Sequence, residues 1–177
     1  MKLLDIGCGF NKREGAQGID KNPLTPADVH HDLNVFPYPF DDNTFDDIQI
    51  INVLEHLKDI VRVMEEIYRI AKDNARIFIS VPHFSGIAHF TDPTHLRGFS
   101  SRSFDYFVPG TELFDYRYSS TSKFKKKYCY IGGDKEKPFW KNPVLYWLNK
   151  HKDLYEKRFA FWYPQATIIF ILEPIKS

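Results

Sequence analysis

Only two cysteines, Cys8 and Cys129, occur in 177 residues, too few for a disulfide framework, so nothing suggests an oxidising compartment. No apolar run approaches the ~18–20 residues of a membrane-spanning helix. The N-terminus carries no basic stretch followed by an apolar one, so no secretory leader is expected. These absences lead to the expectation of a cytoplasmic chain without membrane association. Internal repeats and low-complexity segments are missing too. The length fits one domain with a substantial core, residues 1–177.

Net charge is nearly absent, at +1, but its distribution is uneven. Residues 1–116 hold 11 Lys and Arg against 18 Asp and Glu, while residues 117–158 hold 12 against 4. The basic block is either a solvated face or a surface for an anionic partner or substrate.

Strands are expected at Lys2–Ile6, at Ala27–Leu33, at the apolar runs Asp47–Val53, Ala75–Val81 and Ala166–Leu172, and at the partly alternating Lys123–Ile131, with Gly18–Asp20 the end of a second strand. Residues 58–72 change period: Ile60, Val61, Met64, Ile67, Tyr68 and Ala71 recur at helical spacing, and Asn74 is a plausible stop. Asn142-Pro143 reads as an N-cap with proline at the first helical position, and Val144, Leu148, His151 and Tyr155 continue that helix on one face. Near-continuous apolar strands separated by a helix predict a parallel sheet covered on both faces.

The first strand runs into Gly7-Cys8-Gly9, and the second ends on Asp20. Glycines allow a sharp turn and close approach to a ligand, and a carboxylate at a strand end can accept from a ribose diol. The dinucleotide fingerprint is incomplete, because Lys12 stands where its third glycine would be. Little room remains for a helix before Asp20. Cys8 reads as a small buried filler.

The wider set of motifs resembles the class I S-adenosylmethionine-dependent methyltransferases, especially the small type 11 group. The matching stretches are LLDIGCG (3–9), GID (18–20), HDL (31–33), FPYPFDDNTFDDI (36–48), NVLEHL (52–57) and IFISVP (77–82), with a terminal ATIIFILEPIK. The resemblance implies an α/β three-layer sandwich with a mostly parallel, seven-stranded, Rossmann-like sheet and a C-terminal antiparallel strand. It implies S-adenosyl-L-methionine as cofactor. Asp5, Gly7 and Gly9 would line its methionine end, Asp20 its ribose, Asp32 and Leu33 its adenine, and Asn52 and Val53 its sulfonium. His56, in the turn after the fourth strand, reads as positional. The segment FNKREGAQ is shorter than its counterpart in the family, so Lys12 and Arg13 are either exposed or part of the site. N-terminal helices that cover the cleft in many relatives are not evident.

Residues 82–100 follow the fifth strand and hold His83, His89, Asp92 and His95. Histidine titrates near neutrality, so His83 and His95 are the candidate catalytic bases, with His89 and Asp92 as substrate-binding support. A metal site or a purely structural loop are the other readings. No standard zinc spacing is present, so no metal is assigned. Aromatics among the lysines of 117–158 would suit nucleic acid, a lid or docking insertion over 132–158, or a homodimer surface. The expected activity is methyl transfer to oxygen or nitrogen of a small, anionic acceptor. The alternatives are a methyltransferase acting on RNA or protein, and a non-catalytic cofactor-binding subunit.

Overall fold

A computed structural model describes residues 1–116, 120–132 and 142–176. One seven-stranded sheet organises them, in the order β3-β2-β1-β4-β5-β7-β6. The strands are β1 (Leu3–Ile6), β2 (Gln17–Asp20), β3 (Val29–His30), β4 (Phe45–Ile51), β5 (Ala71–Pro82), β6 (Phe124–Ile131) and β7 (Thr167–Pro174). Strands β1 to β5 pair in parallel, and β7 runs antiparallel to both β5 and β6. The expected mostly parallel α/β sheet with an antiparallel C-terminal strand is therefore present. Its centre is fully buried, with Leu4, Ile6, Ile48, Ile50, Ile77, Ile79, Ile168 and Phe170 in the core.

The helix α1 (Ile60–Ile70) links β4 to β5. Asp59 caps it by accepting from the Arg62 N–H at 3.0 Å, a bond worth about 1 kcal/mol. Val63, Met64, Ile67 and Ile70 are its buried stripe. It stops earlier than the periodicity predicts, because Ala71 already pairs with Phe45 in the sheet. Asn74 sits beyond the helix, at φ +59°. The third strand is only two residues long, since pairing to β2 is confined to Val29 and His30.

The helix after Asn142 is also shorter than expected. It divides into α3 (Pro143–Lys150) and α4 (Lys152–Arg158), with His151 at φ −124° and ψ 46° between them, after the five-residue α2 (Ile87–Thr91) earlier in the chain. Leu148 and Tyr155 are buried as predicted, whereas Val144 and His151 are exposed. The insertion expected over 132–158 lies partly outside the described residues.

The links from β1 to β2 and from β2 to β3 hold no helix. In the first, ion pairs and backbone bonds take over the helix's role. The Arg13 N–H donates to Asp5 Oδ2 at 2.8 Å, and its guanidinium meets the buried Asp47 at 3.1 and 3.3 Å. Lys12 Nζ reaches Asp28 at 2.9 Å, and the Gly18 N–H donates to the same carboxylate at 2.7 Å. Lys12 and Arg13 thus secure the loop and line no ligand cavity at the strand ends.

Candidate functional site

Three parallel strands end together: β1 at Gly7, β2 at Asp20 and β4 at Asn52. In open α/β sheets that edge is where ligands bind. Here it holds a cavity of about 400 Å³. Gly7, Asp20, Lys21, Asp32, Leu33, Asn34, Asn52, Val53, His56, Leu57 and Thr94 line it.

Backbone geometry shapes this edge. Gly7 has φ +65°, and a Cβ there would lie 2.4 Å from Val53 Cγ2. Only glycine gives both the turn and the approach. Asn52 takes the left-handed conformation at φ +53°, and its N–H donates to Ser80 O at 2.9 Å. It turns the chain off β4 into the single 3-10 turn Leu54–His56.

The two cavity carboxylates are held from behind. Asp20 accepts from the Gly9 N–H at 2.9 Å and from the Asn22 N–H at 2.8 Å. Asp32 Oδ1 accepts from the backbone and side-chain amides of Asn34 at 2.9 and 3.1 Å. Those bonds, the backbone one foremost, hold the Asp32 carboxyl below the usual range, so it is ionised at neutral pH.

The residues read from the sequence divide clearly. Gly7, Asp20, Asp32, Leu33, Asn52 and Val53 line the cavity, while Asp5 and Gly9 do not. Asp5 is buried and engaged by Arg13, and Gly9 serves by donating to Asp20. His83 is a correction to the expected pair of bases. It is fully buried, with Nδ1 2.8 Å from Ser85 Oγ and Nε2 3.3 Å from Glu156 Oε1. Both ring nitrogens are engaged inside the protein, which leaves none for a substrate.

The rest of the histidine loop folds towards the cavity. The Leu96 N–H donates to Glu55 O at 2.8 Å, and Arg97 reaches the carbonyls of Leu57 and Lys58. This sets His95 against His56, with ring centroids 4.7 Å apart, and puts Thr94 on the cavity wall. His89 stacks on His95 at 6.1 Å, and Asp92 accepts from the Thr94 hydroxyl at 2.7 Å. His95, His89 and Asp92 lie behind the wall rather than in it. Lys21, Asn34, His56, Leu57 and Thr94 were not assigned to the site from the sequence. Lys21, Asn34 and Thr94 each stand beside one that was, which is the only local signal they offered.

Comparison with known proteins agrees with this geometry. Residues 11–79 match the family model of a methyltransferase domain. No curated protein matches the chain. Among solved structures, an S-adenosylmethionine-dependent methyltransferase from Archaeoglobus fulgidus is 18% identical, with a TM-score of 0.63 over 97% of this chain and 85% of its own. One from Mesorhizobium loti is 13% identical, with a TM-score of 0.55 over 97% and 90%. The [4+2]-cyclase SpnF is 15% identical, with a TM-score of 0.59 over 99% and 76%. At such identities the likeness is one of fold, and the cyclase shows that this fold also carries other chemistry. The resemblance to class I S-adenosylmethionine-dependent methyltransferases is supported by the family match and by the shared sheet. Among the described residues no helix is long and apolar enough to cross a membrane.

Proposed function

We propose that this chain, with the methyltransferase domain matched over residues 11–79, transfers a methyl group from S-adenosylmethionine to oxygen or nitrogen of a small acceptor. One observation carries the reading. The cavity of about 400 Å³ is lined by the ionised Asp32 and the backbone-held Asp20 together with Asn52, His56 and Thr94. The carboxylates suit a nucleoside, and the imidazole and hydroxyl suit a reacting group.

The cradle fits the cofactor by its donor set. Asp20, already oriented by Gly9 and Asn22, accepts from the ribose diol. Asp32 accepts from the adenine amino group, and Leu33 packs on the ring. Gly7 leaves space for the amino-acid end, and Asn52 and Val53 face the reacting centre. Bound cofactor supplies a methyl on a cationic sulfur: the C–S bond breaks with its electron pair returning to sulfur, as an acceptor lone pair makes the new bond. The protein's part is alignment and proton removal. The acceptor enters beside His56 and Thr94, the polar side chains of the cavity lining nearest the histidine loop.

Nucleic acid is the weaker candidate for the acceptor. Among the described residues of the basic block, Lys126 pairs with Asp105, Lys127 with Glu173 and Lys157 with Asp153. Three of the eight described lysines and arginines there are thus matched by a carboxylate of the same chain. A small acceptor and a reducing, cytoplasmic setting fit the free Cys8 and Cys129.

Calorimetry with S-adenosylhomocysteine tests the reading. The intact chain should bind it in the micromolar range. Asp20→Ala removes hydrogen bonds to a charged group, each worth about 1.5–3 kcal/mol, and should weaken binding at least tenfold. An intact chain that does not bind the product would end the proposal. Unchanged binding by the variant would remove Asp20 from the ribose site.

A further inference from the structure

Glu55 is wholly buried, and neither of its carboxylate oxygens has a hydrogen-bond partner. A buried carboxylate without a partner is among the costliest groups a fold can hold. One ligand atom from each of Glu55, His56 and His95 lies within 4.8 Å of the other two.

The neighbouring hydrogen bonds fix which way the neutral rings present themselves. His95 Nδ1 lies 3.1 Å from His89 O, which can only accept, so Nδ1 carries the proton. Its Nε2 lone pair then faces Glu55 Oε1 at 3.9 Å and Asp92 Oδ2 at 3.8 Å. The Thr94 hydroxyl proton goes to Asp92 Oδ1, so Thr94 Oγ1 accepts from His56 Nδ1 at 2.9 Å. His56 Nε2 is left with its lone pair as well. Each ring is thus left with one nitrogen free to accept, close to an unpaired carboxylate.

At 3.9 Å His95 Nε2 and Glu55 Oε1 are not hydrogen-bonded. A metal ion would engage all three groups at once: two ligand atoms about 2.1 Å from a tetrahedral ion stand about 3.4 Å apart, against a spacing of up to 4.8 Å here. Each ring also donates its other N–H to a protein oxygen, the arrangement that orients metal-binding imidazoles.

We propose that Glu55, His56 and His95 form a binding site for one divalent transition-metal ion, with Zn²⁺ the best-suited species. Two imidazoles and one carboxylate favour zinc over magnesium or calcium, which prefer all-oxygen shells. Three protein ligands leave a fourth position, on the side where His56 lines the cavity. If the methyl-transfer reading holds, that position takes an acceptor oxygen and eases its ionisation. The metal site itself does not depend on that reading. No local spacing announces it, since its ligands come from residues 55–56 and 95, joined by the bond from Leu96 N–H to Glu55 O.

The test is titration of metal-stripped protein with zinc chloride by calorimetry, and with cobalt chloride by visible absorption. One equivalent should bind, with d–d bands of a four- or five-coordinate nitrogen and oxygen site. Glu55→Gln, His56→Ala and His95→Ala should each lose affinity at least tenfold. His30→Ala, at an exposed histidine outside the site, should match the parent. His56 is half-buried and its replacement is the one least demanding of the fold, so it decides if Glu55→Gln fails to fold. Absence of a stoichiometric site in the parent, or parental affinity in folded His56→Ala and His95→Ala, overturns the proposal. Binding of S-adenosylhomocysteine to the same metal-free protein reports the methyl-transfer reading separately.

Discussion

Replacing Gly7 by alanine puts a methyl group where β1 and the turn after β4 nearly touch. Two separate costs arise. The residue has φ +65°, a left-handed conformation that costs a non-glycine residue about 1–2 kcal/mol. The new Cβ would also stand 2.4 Å from Val53 Cγ2 and 3.0 Å from Val53 Cγ1. Valine is stiff at χ1, so one methyl cannot swing aside without driving the other into the same space. Overpacking of this kind costs about 1–3 kcal/mol. Alanine also restricts the unfolded chain, which returns about 0.4–1 kcal/mol. The net loss should be about 2–4 kcal/mol, a large share of the roughly 5–15 kcal/mol that a domain has.

Urea unfolding separates the two costs. Gly15 has φ +73° and nothing within 4 Å of a built Cβ, so Gly15→Ala should show the backbone cost alone. In a cycle with Val53→Ala, the steric cost disappears from the double variant. The two substitutions should then couple by about 1–3 kcal/mol, the double variant being more stable than additivity allows. A Gly7→Ala loss below about 1 kcal/mol, or a strictly additive cycle, would refute the close-approach argument.

Two further outcomes are expected. Burial pushes the Glu66 carboxyl up, but Arg69 and the Tyr38 N–H, donating to it at 2.8 and 2.7 Å, outweigh that and leave its pKa lowered. Its contribution is therefore complete above its unfolded pKa of about 4.3 and is lost as pH falls through the folded value. Urea midpoints followed from neutrality into acid should fall less steeply for Glu66→Gln than for the parent, and parallel slopes would contradict the assignment. His83→Ala should lower stability by about 1–3 kcal/mol, because it empties a fully buried site and removes one hydrogen bond each from Ser85 and Glu156, which keep their bonds from Gln165 and Ser101. It should leave affinity for S-adenosylhomocysteine within about twofold. A stable variant that binds the product more than tenfold weaker would return His83 to the site.

The central sheet was readable because its strands are buried on both faces and so appear as apolar runs. ARIFISV and ATIIFIL are the clearest, and both lie inside the sheet with a neighbour on each side. Limits set by pairing rather than composition were not readable. ADVHHDL has the composition of a longer strand, but only Val29 and His30 find partners, at an edge. The helix at Ile60–Ile70 stops where Ala71 meets Phe45, a contact from a distant segment. The cavity followed the same division. Asp20, Asn52 and Val53 stand at strand ends, which sequence order reveals. His83 and His95 both stand in one loop, yet one is sealed beneath α4 by Glu156 and the other faces Glu55. Only the fold separates them.

The short segment after the glycine turn shows how chemistry is redistributed when a helix is lost. A helix there would offer its N-terminal N–H groups and dipole to a ligand at the strand end. In this chain the corresponding N–H groups turn inward. Gly9 donates to Asp20, and Arg13 to Asp5. The Arg13 and Arg76 guanidiniums both meet the buried Asp47, at 3.1 and 3.2 Å, so the acid at the base of β4 is not left unpaired. Asp5 therefore shapes the cavity without lining it. It fixes the loop that holds Gly9, and Gly9 orients the Asp20 carboxylate. Replacing Asp5 by Asn keeps its shape but weakens its hold on the Arg13 N–H, so affinity for the nucleoside half of a ligand should fall while the cavity wall stays intact. Asp20 is the residue through which that loss is transmitted, and in an Asp20→Ala background the Asp5 substitution should have little further effect on binding.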